Sequence, residues 1–247
     1  MAPGMGFCLN SKDSIRMNQP IVQSSGGITL VGGGPVPARL FQKSIKRAPV
    51  IVAADSGADR CLAQGVIPVA VIGDMDSLSD AAQATVGGDR LHRIEEQETT
   101  DFDKALRSVQ APFVLALGFL GARIDHELAV LNALVRSPAA CVLLGTDDAL
   151  FHVPPRFEVQ LRRGDRFSLF PMAPLTGESE GLDWPLDGLH LTPGGRIGTS
   201  NRVTDGRVRL HLSGEGMLGI VDRRRLEAVL QALACPGDGS AGASGGR

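Results

Sequence analysis

The stretch Gly73-Asp74-Met75-Asp76-Ser77 sets two carboxylates two residues apart, directly after the apolar run Val69–Ile72. Aspartate is a poor strand residue, and at the end of a buried strand it falls on the rim of a parallel sheet, where open α/β folds bind ligands. Carboxylates this close repel unless a cation stands beside them, and Mg²⁺ takes one or two carboxylates together with substrate phosphates. The competing reading is a helix start capped by Asp76 or Ser77, which explains one acid and leaves the other. A second acidic stretch, Gln97-Glu98-Thr99-Thr100-Asp101-Phe102-Asp103-Lys104, opens a helical segment. Thr100 and Asp103 have capping-box spacing and acids favour a helix N-terminus, which accounts for Asp103 better than for Asp101. Lys104, one turn beyond Thr100, is placed either to pair with an acid or to reach a phosphate.

Two further rim segments are of mixed character. Gly118-Phe119-Leu120-Gly121-Ala122-Arg123-Ile124-Asp125-His126 follows the run Phe113–Leu117 and precedes an amphipathic stretch. Arg123 there is either a bidentate phosphate clamp or half of a surface pair with Asp125. Val31-Gly32-Gly33-Gly34-Pro35 permits close backbone approach to a phosphate but matches neither a dinucleotide fingerprint nor a P-loop. Asp55-Ser56-Gly57 adds an acid after another apolar run, with helix capping as the alternative. His92, His152, His190 and His211 stand in unrelated contexts and read as structural or exposed. Taken together, acids and glycines at successive strand ends, with Arg and Lys beside them, point to a metal–polyphosphate site and to phosphoryl or pyrophosphoryl transfer.

The elements that must position these groups are short continuous apolar runs: Ile28–Val31, Val50–Ala53, Val69–Ile72, Phe113–Leu117 and Cys141–Leu144. Such runs suit strands buried on both faces. Helical spacing lies between them, clearest in Ile124, Leu128, Leu131 and Val135. Repeated β-α units imply an α/β fold with a mostly parallel, Rossmann-like sheet flanked by helices. Near Pro154-Pro155 the pattern shifts to short strand-like segments, Phe157–Leu161, Arg166–Phe170, Gly188–Leu191 and Arg207–Leu212, as in a smaller antiparallel unit. The expected layout is a leader over 1–26, an α/β unit over 27–153, a β unit over 154–222, and a helix with a Gly/Ser-rich tail over 223–247.

Composition narrows the function. With 25 Lys+Arg against 27 Asp+Glu, the net charge of −2 argues against a general nucleic-acid binder. No apolar run approaches the ~20 residues of a membrane span, and the first residues lack a signal-peptide pattern. The four cysteines, Cys8, Cys61, Cys141 and Cys235, form no C-x-x-C pair, which fits a reducing cytoplasm. Gly 31 and Pro 15 beside 4% aromatic residues and no Tyr describe a loop-rich globular enzyme.

In ADSGADRCLAQGVIPVAVIGDMDSL (Ala54–Leu78), EQETTDFDKAL (Glu96–Leu106), GFLGARIDHELAVLNAL (Gly118–Leu134), SEGLDWPL (Ser179–Leu186) and GRIGTSN (Gly195–Asn201), the chain resembles the thiamin pyrophosphokinases, in order and spacing, over residues 27–222. The resemblance implies an N-terminal α/β domain, a C-terminal β-sandwich-like domain, and a homodimer with its sites between subunits. It implies transfer of pyrophosphate from ATP to thiamin, with Mg²⁺ as cofactor and AMP as second product. By the same resemblance Asp74, Asp76 and Asp101 hold the metal; Gly33, Asp55, Lys104, Arg123 and Asp125 surround the nucleotide; and Gln97, Ser200 and Asn201 approach thiamin. Catalysis would rest on Asp74, Asp76, Asp101 and Arg123. Where family members often carry an aromatic shortly after the Ser-Asn pair, this chain has Arg202, Val203 and Thr204. Trp184, the one Trp, reads as a core residue of the second unit. The nearest alternative is a pyrophosphokinase for another alcohol, such as a hydroxymethyl-pterin; a nucleotide-binding regulator without turnover is another.

Overall fold

The computed structural model describes residues 19–234; most of the expected leader and the Gly/Ser-rich tail lie outside the described residues. A short strand β1 (Val22–Gln23) leads into β2 (Ile28–Val31), α1 (Ala38–Arg47), β3 (Val50–Ala54), α2 (Gly57–Ala63) and β4 (Ala70–Gly73). Next come α3 (Asp80–Val86), β5 (Leu91–Arg93), α4 (Asp101–Arg107), β6 (Val109–Gln110), β7 (Val114–Leu117), α5 (Ile124–Arg136) and β8 (Cys141–Leu144). Strands β2, β4, β7 and β8 are buried at every position. Their apolar continuity has a direct cause: alternate residues enter separate cores on the two faces. Val31, Ala53, Val71 and Leu117 meet α1 to α3 through Phe41, Ala58 and Ala82. Leu30, Val52, Ile72 and Ala116 meet α4 and α5 through Phe102, Leu106, Ala133 and Leu134.

Strands β8, β7, β2, β3, β4 and β5 are adjacent in that order and parallel. The chain leaves β2 towards β5 and then returns to β7 on the other side of β2. The crevice above β2 and β7 is therefore the point where strand order reverses, which is where open α/β sheets place ligands.

The expected mostly parallel sheet requires correction, because strands beyond residue 147 join it antiparallel. After β8 the chain turns tightly, with the Gly145 N–H donating to the Asp148 carbonyl at 2.9 Å. Without a crossover helix, β9 (Asp148–Val153) pairs antiparallel with β8. Following β10 (Arg156–Gln160), strand β11 (Phe167–Pro171) rejoins the large sheet. Strands β12 (Leu175–Glu180), β13 (His190–Leu191) and β14 (Arg207–Leu212) precede β15 (Met217–Asp222), which inserts between β9 and β11. The large sheet thus has nine strands and is mixed, while β10, β14, β12 and β13 form a separate four-stranded antiparallel sheet. The two sheets face each other through Phe157 of β10 and Phe151 and Phe167 of the large sheet, with ring centroids 5.4–6.5 Å apart. Helix α6 (Leu226–Ala234) closes this core with Val229 and Leu230.

Two smaller expectations also change. Residues 22–23, within the expected leader, pair in parallel with β6. In α5 the buried face is Val130, Ala133 and Leu134, whereas Ile124 and Leu128 are 72% and 58% exposed, because the first turns lie at the rim loop rather than over the sheet. Among the described residues no helix is long and apolar enough to cross a membrane.

Candidate active site

Two backbone loops frame the crevice. The strand β2 runs into Gly32–Gly34, and β7 runs into the loop from Gly118 to Arg123. They are fastened together where the Gly34 N–H donates to the Gly118 carbonyl at 2.8 Å. A Cβ on Gly32 would lie 2.6 Å from the Phe119 ring, and one on Gly34 would lie 2.7 Å from the Gly118 oxygen. Those glycines are fixed by loop-to-loop packing. At Gly33 a Cβ would lie 2.3 Å from the Ser56 hydroxyl, so the turn after β3 crowds this glycine as well, and its carbonyl accepts the Arg60 Nε–H at 2.9 Å. Below the loops is a cavity of about 380 Å³ lined by Gly33, Asp55, Asp74, Asp101, Lys104 and Arg123, among others.

Three acids converge there, two from strand ends and one from a helix start. Asp55 follows β3 and Asp74 follows β4, while Asp101 opens α4, whose N-cap Thr100 accepts the Asp103 N–H at 3.4 Å. One carboxylate oxygen from each of Asp55, Asp74 and Asp101 lies within 4.8 Å of the others. Asp55 Oδ2 accepts the Ser77 N–H at 3.2 Å, but the buried Asp55 Oδ1 has no hydrogen-bond partner. Lys104, 1% exposed, reaches Asp74 Oδ2 at 3.3 Å and Asp101 Oδ1 at 3.4 Å. Its neighbours make it an internal counter-charge to the acids.

Burial, then the charge of Asp101, raises the Asp55 carboxyl above the ordinary aspartate value. Burial, then Asp74, raises Asp101 in the same way. Asp74 moves down: burial opposes the shift, but the Asp76 N–H and the Lys104 ammonium outweigh it. Burial likewise works against the Lys104 charge and is overcome by Asp101 and Asp74, which raise it. Protons or a cation are held where like charges have been forced together. An all-oxygen set with one orphaned, buried acceptor fits a hard divalent cation.

Among the described residues, the non-glycine positions with positive φ are Asp55 at 45°, Met75 at 68° and Ser200 at 60°. All three lie in segments singled out by sequence, as expected of backbone strain kept at functional sites. The left-handed Met75 separates the two acids of its motif: Asp76 is exposed, lies outside the carboxylate group, and serves it through its N–H to Asp74 Oδ1 at 3.2 Å. Arg123 lines the cavity, and its guanidinium forms the exposed pair with Asp125 at 2.6 and 3.2 Å. Gln97 and Asp125 are exposed and are not cavity-lining.

Ser200 and Asn201 lie in a second locality, around Trp184. Asn201 is 3% exposed; its Oδ1 accepts the N–H groups of Trp184 at 3.1 Å and Arg202 at 2.8 Å, and its Nδ2 donates to the Trp184 carbonyl at 2.6 Å. Two of its three bonds fix the Trp184 backbone. The Ser200 N–H donates to Ser168 Oγ at 2.9 Å. Trp184 is not a core residue: it is 59% exposed, with the Arg202 guanidinium 5.9 Å from its ring centre. The signal was its setting between Asp183 and Pro185, outside any apolar run. None of Trp184, Ser200 and Asn201 lines the crevice of its own chain.

Residues 41–143 match the family model for the thiamin pyrophosphokinase catalytic domain, and residues 152–215 match that for the thiamin pyrophosphokinase vitamin B1 binding domain. Thiamine pyrophosphokinase 3 of rice (Oryza sativa subsp. japonica) is 30% identical over 194 residues, spanning 64% of this chain and 73% of the relative. Thiamine pyrophosphokinase 1 of rice is 31% identical over 163 residues, 58% of this chain and 62% of the relative. That of Arabidopsis thaliana is 30% identical over 161 residues, 57% and 60%. The chain therefore spans about three fifths of these two curated relatives. In fold it is similar to thiamin pyrophosphokinase from Candida albicans, with a TM-score of 0.66, 16% identity, and coverage of 79% of this chain and 90% of that one. The Bacillus subtilis structure gives 0.61, 24%, 79% and 98%.

Proposed function

The chain belongs to the thiamin pyrophosphokinase family, and from that premise we propose that it transfers pyrophosphate from ATP to the hydroxyl of thiamin, giving thiamin diphosphate and AMP. The observation that carries this reading is the convergence of Asp55, Asp74 and Asp101 below two glycine loops, with Asp55 Oδ1 left unpartnered. Asp55, Asp74 and Asp101 would hold Mg²⁺, which supplies positive charge to the triphosphate when bound. Asp76 supports the set through its backbone, and Gly33, Lys104 and Arg123 line the nucleotide side.

In the reaction the thiamin hydroxyl oxygen bonds to the β-phosphorus, the β-phosphorus bond to the oxygen bridging towards the α-phosphorus breaks, and AMP leaves with that oxygen. The hydroxyl proton is released. The chain's own contribution is positioning and electrostatics, as expected of phosphoryl-transfer chemistry. Lys104 keeps Asp74 ionised, and the Arg123 fork neutralises charge spreading over the phosphate oxygens.

For the vitamin, the exposed Trp184 face beside Ser200 offers the stacking surface that the residues after Asn201 lack. Gln97 and Asp125 stay in the proposed set as exposed neighbours of the crevice. Because Trp184 does not line the crevice of its own chain, we take the active unit to be a two-fold homodimer in which each crevice faces the partner's second sheet. A cytoplasmic setting matches the cysteine pattern.

Detection of AMP and thiamin diphosphate by mass spectrometry from ATP, Mg²⁺ and thiamin tests the activity. A parallel arm with a hydroxymethyl-pterin distinguishes the alternative alcohol, and product from the pterin alone would overturn the thiamin assignment. Mixing Asp74→Asn protein with Trp184→Ala protein tests the shared site. Random pairing makes about half the dimers mixed, each with one intact site, so about a quarter of wild-type activity returns. A folded, dimeric, inactive mixture would place the whole site within one chain.

A further inference from the structure

We propose that Glu127 is a positioning residue for the phosphate side of the crevice: its carboxylate clamps the loop that carries Arg123. The loop from Gly118 to Arg123 turns through two left-handed glycines, Gly118 at φ 72° and Gly121 at φ 84°. Its start is tied to the glycine loop by the Gly34 N–H. Its far end has no comparable tie. The N-cap of α5 is Arg123, whose side chain makes no capping hydrogen bond. That side chain pairs with Asp125 two residues on, and both are exposed, so the pair moves with the loop and does not anchor it.

Glu127 fills the gap. From the first turn of α5 its Oε1 accepts the N–H of Gly121 at 2.8 Å and of Ala122 at 3.1 Å, satisfying two amides that precede the helix. Glu127 also lines the cavity, half-buried. Each contact is to the same oxygen, which dictates the test. Glutamine keeps an Oε1 that accepts both amides; aspartate keeps the charge but is one methylene short; alanine keeps neither.

The kinetic arm rests on the nucleotide reading of the crevice; the amide-exchange arm does not. We expect Glu127→Ala and Glu127→Asp to raise KM for ATP at least about fivefold, in line with losing two ordinary hydrogen bonds. KM for thiamin and Tm should stay near wild type. The Gly121 and Ala122 amides should exchange faster with solvent in both variants. Glu127→Gln should restore wild-type KM and amide protection. Wild-type KM in Glu127→Ala, or Glu127→Gln as impaired as Glu127→Ala, overturns the clamp, the latter because charge itself would then be at work. If the wild type turns over no ATP, unchanged exchange at Gly121 and Ala122 in Glu127→Ala still overturns it, and faster exchange upholds it.

Discussion

At the crevice, the carboxylates of Asp55, Asp74 and Asp101 share one small space with Lys104 as their neighbouring cation. On the outer face of the four-stranded sheet, the same kinds of charge are arranged as a ladder: Arg209 sits between Glu158 and Glu180 at 2.9 and 2.8 Å, and Arg207 adds a contact to Glu158. The ladder follows from register, since Glu158 and Glu180 both lie opposite Arg209 across β14. There the arginines pull the Glu158 carboxyl below its ordinary value, whereas burial and like charge push Asp55 and Asp101 above theirs. One region has relaxed its electrostatics into water. The other stores an excess of like charge that a bound cation would relieve.

The sharpest way to break this contrast is to remove one charge from each region. Asp74→Asn should abolish turnover with the fold intact; more than about a tenth of wild-type kcat, a loss below ~1.4 kcal/mol of barrier, would remove Asp74 from the metal set. Arg209→Gln removes the centre of the ladder and should leave kcat, KM and Tm close to wild type, because exposed pairs add little stability.

A second test exploits the opposite pKa directions. Because Asp55 and Asp101 are raised, protons compete with Mg²⁺ for them at a pH above that at which ordinary aspartates titrate. The increase in Tm on adding Mg²⁺ should therefore shrink as pH is lowered towards and through those raised values. In the metal-free protein, acidification through the raised values relieves the cost of ionised Asp55 and Asp101, so their contribution to stability rises. The contribution of Asp74, whose folded value is depressed, is present above its unfolded value and is lost as pH falls through the folded one. A Mg²⁺-dependent gain that is flat from pH 8 to the ordinary aspartate range would show that these carboxylates do not bind the ion.

How much of this was legible in the sequence differs between the same two regions. Asp55 and Asp74 are legible because an Asp after a continuous apolar run has no role in the strand, and Asp101 because capping explains Asp103 better. Asp55 was weighed as a cap and a nucleotide neighbour, yet the turn through a left-handed Asp55 brings its carboxylate to Asp74 and Asp101. Asp76 was read with Asp74 because spacing does not reveal that Met75 reverses the backbone between them. In the second region, alternation along Phe157–Leu161 and Arg207–Leu212 marked strands correctly but not which sheet each would join. Sheet membership is decided by long-range pairing, and only β15 returning beside β9 draws β11 into the large sheet. Trp184 was read as core from its residue type, but Asn201 directs its backbone so that the indole stays outside.

The smallest expected effect concerns Ser200, whose φ of 60° strains a residue with a side chain. Ser200→Gly should raise stability by about 1 kcal/mol, at the low end of the strain cost for a left-handed non-glycine residue, while weakening thiamin binding. Calorimetry and the KM for thiamin measure the two sides. A lower Tm in Ser200→Gly would mean that the hydroxyl, and not the turn, is what the structure requires.

The insertion of β15 between β9 and β11 also bears on how the chain is made. A ribosome delivers β9 soon after β8, but the strand that covers its other edge begins only at Met217, close to the end of the described chain. Until then a bare edge and the Phe151 face wait for their partners. The crevice loops and all three rim acids, by contrast, are complete once Arg136 has emerged. The nascent protein thus holds the acids of its site before it holds a closed sheet, and truncation before β15 should yield a chain prone to edge-to-edge association. The sheet closes only when the last strand is made, some eighty residues after the crevice loops are complete.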